Sequence, residues 1–103
     1  MRKITREAIK QYASSVKVYY RGMRYYAAHA VSNVTWNDSI KQYKGIVKGS
    51  NQYIVTVQVE EDGNMIYSCN CPSHVKLSGA CKHVIAMMLF IADYQQREDA
   101  KVN

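Results

Sequence analysis

Proline, glycine and long apolar runs are scarce in this sequence. Its 103 residues include one proline and five glycines, so no long flexible linker is expected. The longest apolar run, residues 84–92, is well short of the roughly 18 residues of a membrane span. The charged segment 1–7 is not followed by the apolar stretch of a signal peptide. We therefore expect one intracellular domain, cytoplasmic or, in a bacterium, nucleoid-associated, that has no membrane contact.

Cysteine is confined to one short segment. The three cysteines are Cys69, Cys71 and Cys81, and His83 follows the last by two positions. Three thiols cannot all pair within one chain, and clustered thiols in a reducing compartment are more often metal ligands than disulfide partners. Three thiolates and one imidazole form the donor set of a closed tetrahedral zinc site. We predict one structural Zn²⁺, held by Cys69, Cys71, Cys81 and His83.

The spacing of these ligands predicts where the metal lies in the fold. Cys69 and Cys71 point to the same side if they sit on an extended strand. Cys81 and His83 would lie about 200° apart in the middle of a helix. They converge only if Cys81 stands before or within the first helical turn. The zinc would therefore tie the end of a strand to the start of a helix.

Other uses of the same side chains remain open at this point. His74 competes for the fourth ligand position, but His83 is preferred because it repeats the one-residue gap of the first pair. A disulfide between Cys69 and Cys71 would close a strained ring, and an iron–sulfur cluster usually needs four thiolates. A reactive thiol with His83 as its base lacks a further placed base or oxyanion donor. Four protein ligands leave no open coordination position, so we expect no enzymatic activity.

The apolar periodicity predicts an α+β fold with two N-terminal helices, a four-stranded antiparallel meander and a C-terminal helix. Thr5 is expected to cap the first helix, and Ser14 and Ser15 offer a break and a second cap. The second helix should run from Val16 to about Ala28. Its predicted apolar face consists of Tyr19, Tyr20, Met23, Tyr26 and Ala27.

Four strands and a last helix should follow. Alternating apolar residues predict strands near residues 31–36, 43–48, 53–59 and 65–68, the last of which delivers the chain to Cys69. The last helix should begin at residues 79–81 and end at about Arg97, so that residues 1–97 form one domain and 98–103 a frayed tail. Because residues 84–92 are apolar on every side, this helix is expected to pack on the sheet and the second helix, or to leave a stripe for a partner.

Positive charge is concentrated near the N-terminus. Residues 1–24 contain seven basic residues against Glu7 alone, whereas the remaining charges cancel. Such asymmetry favours a polyanionic partner such as DNA. Tyrosines interleave with these basic residues and would either stack on unpaired bases or pack in the core. The candidate nucleic-acid contacts are Arg2, Lys3, Arg6, Lys10, Lys17, Arg21 and Arg24.

The pattern Cys-x-Cys-x9-Cys-x-His, in which Cys-Lys-His runs into an apolar helix, resembles the SWIM zinc finger. The upstream residues, including Tyr20-Arg21-Gly22 and Val47-x-Gly49-Ser50, are similar to the N-terminal region of bacterial Swi/Snf-type helicases that carry this finger, over roughly residues 4–92. The resemblance implies zinc ligation by the same four residues and a role in binding DNA or protein. No Gly-x4-Gly-Lys-Ser/Thr phosphate loop of a motor occurs in the sequence.

These observations favour a DNA-binding module that is accessory to a helicase or another DNA-processing protein. The alternative is a protein-interaction module that docks on a motor domain or partner through the apolar last helix. A thiol-based redox function is a third hypothesis. No small-molecule substrate is expected.

Overall fold

The computed structural model describes residues 3–74 and 78–102 and has the α+β architecture that the sequence predicts. Two short helices precede a four-stranded antiparallel sheet, and a long helix follows it. The elements are α1 (Arg6–Tyr12), α2 (Val16–Ala27), β1 (Val31–Asn37), β2 (Gln42–Lys48), β3 (Gln52–Val59), β4 (Met65–Cys69) and α3 (Lys82–Val102).

Hydroxyl caps begin the two N-terminal helices. The Thr5 hydroxyl accepts a hydrogen bond from the Ala8 N–H at 3.1 Å, and the Ser15 hydroxyl accepts one from the Val18 N–H at 3.2 Å. Both caps satisfy amides that have no partner within the first helical turn. The predicted starts of both helices are therefore confirmed.

The sheet has the strand order β1-β2-β3-β4, which makes it a meander. Along β2 and β3 the inward side chains, such as Val47, Val55 and Val57, are fully buried, whereas Lys44 and Ile54 point outward and are exposed. The strand alternation places every second residue on the same face. One face of the sheet thus carries the core, and α3 lies across it.

Helix α3 is the centre of the core. Residues 84–89 and Ile91 are all fully or almost fully buried, because the helix packs against α2 on one side and the sheet on the other. Most of the apolar segment is therefore covered within the monomer, and Phe90 and Ala92 are half-buried. Protein docking stays a prediction, and the burial of most of this segment removes most of the surface on which it depended.

The packed face of α2 differs from the predicted one. Tyr20 is 51% exposed, and Ala27 is exposed too, whereas Gly22 is buried. A Cβ atom at Gly22 would lie 2.5 Å from Ile85 Cγ2, so only glycine permits this close approach of α2 to α3. The packed face is centred on Gly22, which turns Tyr20 toward solvent.

The end of α3 also differs from the prediction. The helix continues past Arg97 to Val102. Residues 98–102 contain neither glycine nor proline, the residues that usually stop a helix. Among the described residues, no helix has both the length and the apolar character needed to cross a bilayer.

Candidate metal centre

The predicted ligands meet where β4 ends and α3 begins. Cys69 is the last residue of β4, and Cys71 lies in the turn that follows it. Cys81 directly precedes α3, and His83 is the second residue of that helix. Cys81 therefore stands just before the first helical turn, as its spacing from His83 requires. The donor atoms of the four residues all lie within 4.8 Å of one another.

A second backbone contact holds the start of α3 in place. The Ala80 N–H donates to the Tyr12 carbonyl at 2.9 Å, and the Ala80 carbonyl accepts from the Ser14 N–H at 3.2 Å. A Cβ atom at Gly79 would lie 2.9 Å from Ser14 Cα, so glycine is needed for this approach. The ligand pair at the start of α3 is thus fixed to the connection between α1 and α2.

The sulfur positions fit a tetrahedral ion. Cys71 Sγ and Cys81 Sγ are 3.8 Å apart, and Cys69 Sγ is 3.8 Å from His83 Nδ1. Zinc–sulfur bonds of about 2.3 Å give a tetrahedral edge of about 3.8 Å. Cys71, Cys81 and His83 are buried, and Cys69 is half-buried. All three cysteines are free thiols, so the disulfide alternative is not formed. The residues present therefore fit one four-coordinate zinc.

Aromatic rings fix the orientation of the histidine. The Tyr53 ring stacks on the His83 ring at a centroid distance of 4.3 Å, and the Tyr25 ring lies 5.3 Å away. Gly49 packs against the same ring, since a Cβ atom at this position would lie 3.2 Å from His83 Nε2. The sequence places Gly49 between two predicted strands and Tyr53 at the start of the second of them. Their contact with His83 depends on how the sheet packs against α3, and no local signal reveals it.

The alternative fourth ligand lies outside the cluster. His74 is not among the residues whose donor atoms come together at this site in the described part of the chain. Its ring instead makes an edge contact with Tyr67 at 5.8 Å. The preference for His83 over His74 as the ligand is consistent with this geometry.

The pKa values of two thiols in the cluster are shifted in opposite directions. A hydrogen bond from Cys69 lowers the pKa of Cys81, and His83 and the Val84 N–H lower it further against the effect of burial. The same pairing with Cys81, together with burial, raises the pKa of Cys69. A raised pKa means that a thiol holds its proton more tightly. Binding of a metal by all three sulfurs must displace such protons.

The candidate nucleic-acid contacts lie on the surface of the N-terminal helices. Arg2 lies outside the described residues, and the other six, Lys3, Arg6, Lys10, Lys17, Arg21 and Arg24, are exposed. Lys17, Arg21 and Arg24 share one face of α2 because they are spaced by four and three residues. We call these three residues the basic stripe. Lys10 lies on α1, with its ammonium 5.9 Å from the centre of the Tyr19 ring.

The four tyrosines of α2 divide between core and surface. Tyr19 is 7% exposed, Tyr25 contacts His83, and the Tyr26 hydroxyl donates to Asp93 Oδ2 at 2.7 Å. Tyr20 alone among these four is exposed. Core packing thus accounts for most of the tyrosines that interleave with basic residues in the sequence, and one remains free to meet a ligand.

Comparison with known proteins agrees with the geometry of the site. Residues 55–92 match the family model of the SWIM zinc finger, and this range contains all four ligands. The comparisons with curated proteins and with solved structures gave no match. The matched range begins in β3 and ends within α3, which are the elements that the cluster joins. Residues 55–92 are therefore similar to the SWIM zinc finger, and their Cys3His cluster is consistent with one structural zinc.

Proposed function

We propose that this chain is a non-catalytic DNA-binding module that serves a helicase or another DNA-processing protein. The observation that carries the proposal is the basic stripe on the exposed face of α2. The zinc finger supports the basic stripe indirectly. Its ligands join the sheet to α3, and α3 in turn packs on α2.

The charges of the basic stripe are available to a ligand. The sequence of α2 contains no acidic residue. Within residues 3–74 and 78–102, ion pairs form at Lys41 with Asp38 and at Arg97 with Asp93, and none involves the basic stripe. Cations without acidic neighbours attract a polyanion most strongly, because no internal partner has to be displaced.

The length of the basic stripe suits a phosphate backbone. Lys17 and Arg24 are two helical turns apart, which is about 10 Å along the axis. Phosphates on one strand of duplex DNA are spaced by about 3.4 Å along the helix axis, so the stripe covers about three of them. Arginine donates to phosphate through two N–H groups, and lysine acts as a point charge.

Fluorescence anisotropy with labelled DNA tests the proposal. The zinc-loaded protein should bind at low salt, and the affinity should fall as salt rises, because bound cations release counterions. The double variant Arg21→Gln/Arg24→Gln should reduce the slope of log K against log salt by about 0.7–0.9 for each phosphate that the variant no longer neutralises. Lys44→Gln/Lys48→Gln removes the same charge from the exposed face of the sheet and should leave the slope nearly unchanged.

Two results would contradict the proposal. One is an absence of binding by the zinc-loaded protein at low salt. The other is an equal loss of affinity in the two double variants, since the attraction would then come from net charge and not from the basic stripe.

A further inference from the structure

Tyr20 is an exposed aromatic side chain along one edge of the basic stripe. It is 51% exposed, and it stands three residues after Lys17 and one before Arg21. Its ring contacts the edge of the Tyr19 ring, with centroids 5.5 Å apart and planes inclined by 67°. Tyr19 is almost buried and therefore gives Tyr20 a fixed support on one side while the rest of its ring faces solvent.

The surroundings of Tyr20 differ from those of a core residue. Val16, one helical turn earlier, is also exposed at 55%, so the two side chains form a small apolar pair on the helix surface. The basic stripe runs along one side of this apolar pair, since Lys17 and Arg24 lie three and four residues from Tyr20. A ligand that suits both features must offer flat apolar faces and regularly spaced negative charges.

Unpaired nucleotides have this combination, whereas duplex DNA does not. The faces of the bases in a duplex are covered by neighbouring base pairs, and a helix laid on its backbone meets mainly phosphates. In a single strand the bases are free to stack on aromatic side chains while cations follow the backbone. An exposed tyrosine beside a row of cations is therefore of little use to a duplex but matches a single strand.

We propose that the DNA bound by this module is single-stranded, that Tyr20 stacks on an unpaired base, and that the basic stripe holds the adjoining phosphates. The inference rests on the proposed DNA-binding function and specifies the form of its ligand. Tyr20 is a contact residue for the base, and Lys17, Arg21 and Arg24 are contact residues for the backbone.

Three labelled probes separate stacking from charge attraction. They are an oligothymidine strand of about 15 nucleotides, which matches the length that such sites cover, a strand of equal length with abasic nucleotides at its centre, and a duplex of equal length. The abasic strand keeps every phosphate but lacks the central bases. The wild-type protein should bind oligothymidine about fivefold or more tightly than the abasic strand, since one stacked base contributes at least that factor.

Substitutions of Tyr20 should remove this preference without removing binding. Tyr20→Ala and Tyr20→Leu should bind both strands with the affinity that the wild type has for the abasic one, because the phosphate contacts remain. Tyr20→Phe keeps the aromatic face and should keep the preference. Tyr20→Leu retains apolar bulk, so its result stands even if the alanine variant is less stable. Tyr94→Ala, which removes a tyrosine that is 44% exposed on α3, is the matched control and should behave like the wild type.

The outcomes distinguish this inference from the function on which it rests. If no probe binds at low salt, DNA binding itself is wrong. If all three probes bind alike and Tyr20→Leu changes nothing, DNA binding stands and the stacking role of Tyr20 is wrong. Equal loss of affinity for the intact and the abasic strand in Tyr20→Leu would also overturn that role, because the effect would then be independent of bases.

Discussion

Replacing Gly22 by alanine should destabilise this protein, although the same replacement at an exposed position within a helix usually stabilises a protein. Alanine is favoured over glycine by about 1 kcal/mol within a helix. Here the new Cβ atom would lie 2.5 Å from Ile85 Cγ2, 2.6 Å from Ile85 Cβ and 3.0 Å from the Lys82 carbonyl oxygen. Ordinary carbon–carbon contacts lie at about 3.5–4.0 Å, so α2 and α3 would have to separate by about 1 Å.

The size of the effect follows from the immobility of Ile85. Its side chain is fully buried and β-branched, so it has no alternative rotamer that clears the methyl group easily. Overpacking of a core costs about 1–3 kcal/mol, and we expect the upper part of that range. After subtraction of the helix-propensity gain, the net loss is about 1–2 kcal/mol, which corresponds to a fall in Tm of about 5–10 °C.

Thermal melting of the zinc-loaded protein, followed by far-ultraviolet circular dichroism, measures this loss. A double-mutant cycle with Ile85→Ala provides the control, because the cavity left at Ile85 has room for the added methyl group. In that background Gly22→Ala should cost much less or become stabilising. A Tm for Gly22→Ala equal to or above that of the wild type, without coupling to Ile85, would refute the close approach of the two helices.

Two further predictions concern the metal ligands and the packing of α2. Cys81→Ser should lose zinc and loosen the C-terminal half, whereas His74→Ala should retain one zinc per chain; elemental analysis of the purified variants checks both. Tyr26→Phe should cost about 0.5–1.5 kcal/mol in urea titrations, because it removes the hydrogen bond to Asp93. Burial, and then that hydrogen bond, raise the pKa of Tyr26, so its stabilisation is complete below the unfolded value of about 10 and is lost as pH rises through the raised one. The alkaline loss of stability should consequently be shallower in Tyr26→Phe, and an identical profile would count against this role.

The elements that local signals specify could be predicted from the sequence. Thr5 and Ser15 cap helices because their hydroxyls accept amide hydrogen bonds within the next three residues. The four strands follow from alternation and turn residues. The metal ligands were predictable because three thiols and one imidazole in a single segment have few other uses.

Features that depend on distant contacts could not be predicted. The packed face of α2 differs from the prediction because apolar periodicity counts Tyr20 as a core residue and gives no weight to Gly22. The true centre of that face is set by Ile85, far along the chain. Likewise, the contact of Tyr53 and Gly49 with His83 depends on the packing of the sheet against α3. Helix α3 extends beyond Arg97 because the residues that follow include the helix formers Glu98, Ala100 and Lys101 and contain neither glycine nor proline.

Zinc is expected to clamp the end of β4 to the start of α3, and the rest of the fold depends on this connection. The most direct test is far-ultraviolet circular dichroism of the protein during thermal melting, with its zinc bound and after removal by a chelator. We expect a cooperative transition with zinc, and loss of helical signal with a large fall in melting temperature without it, because binding energy at a structural site is folding energy. An unchanged spectrum and melting temperature after complete removal of zinc would contradict the structural role of the metal.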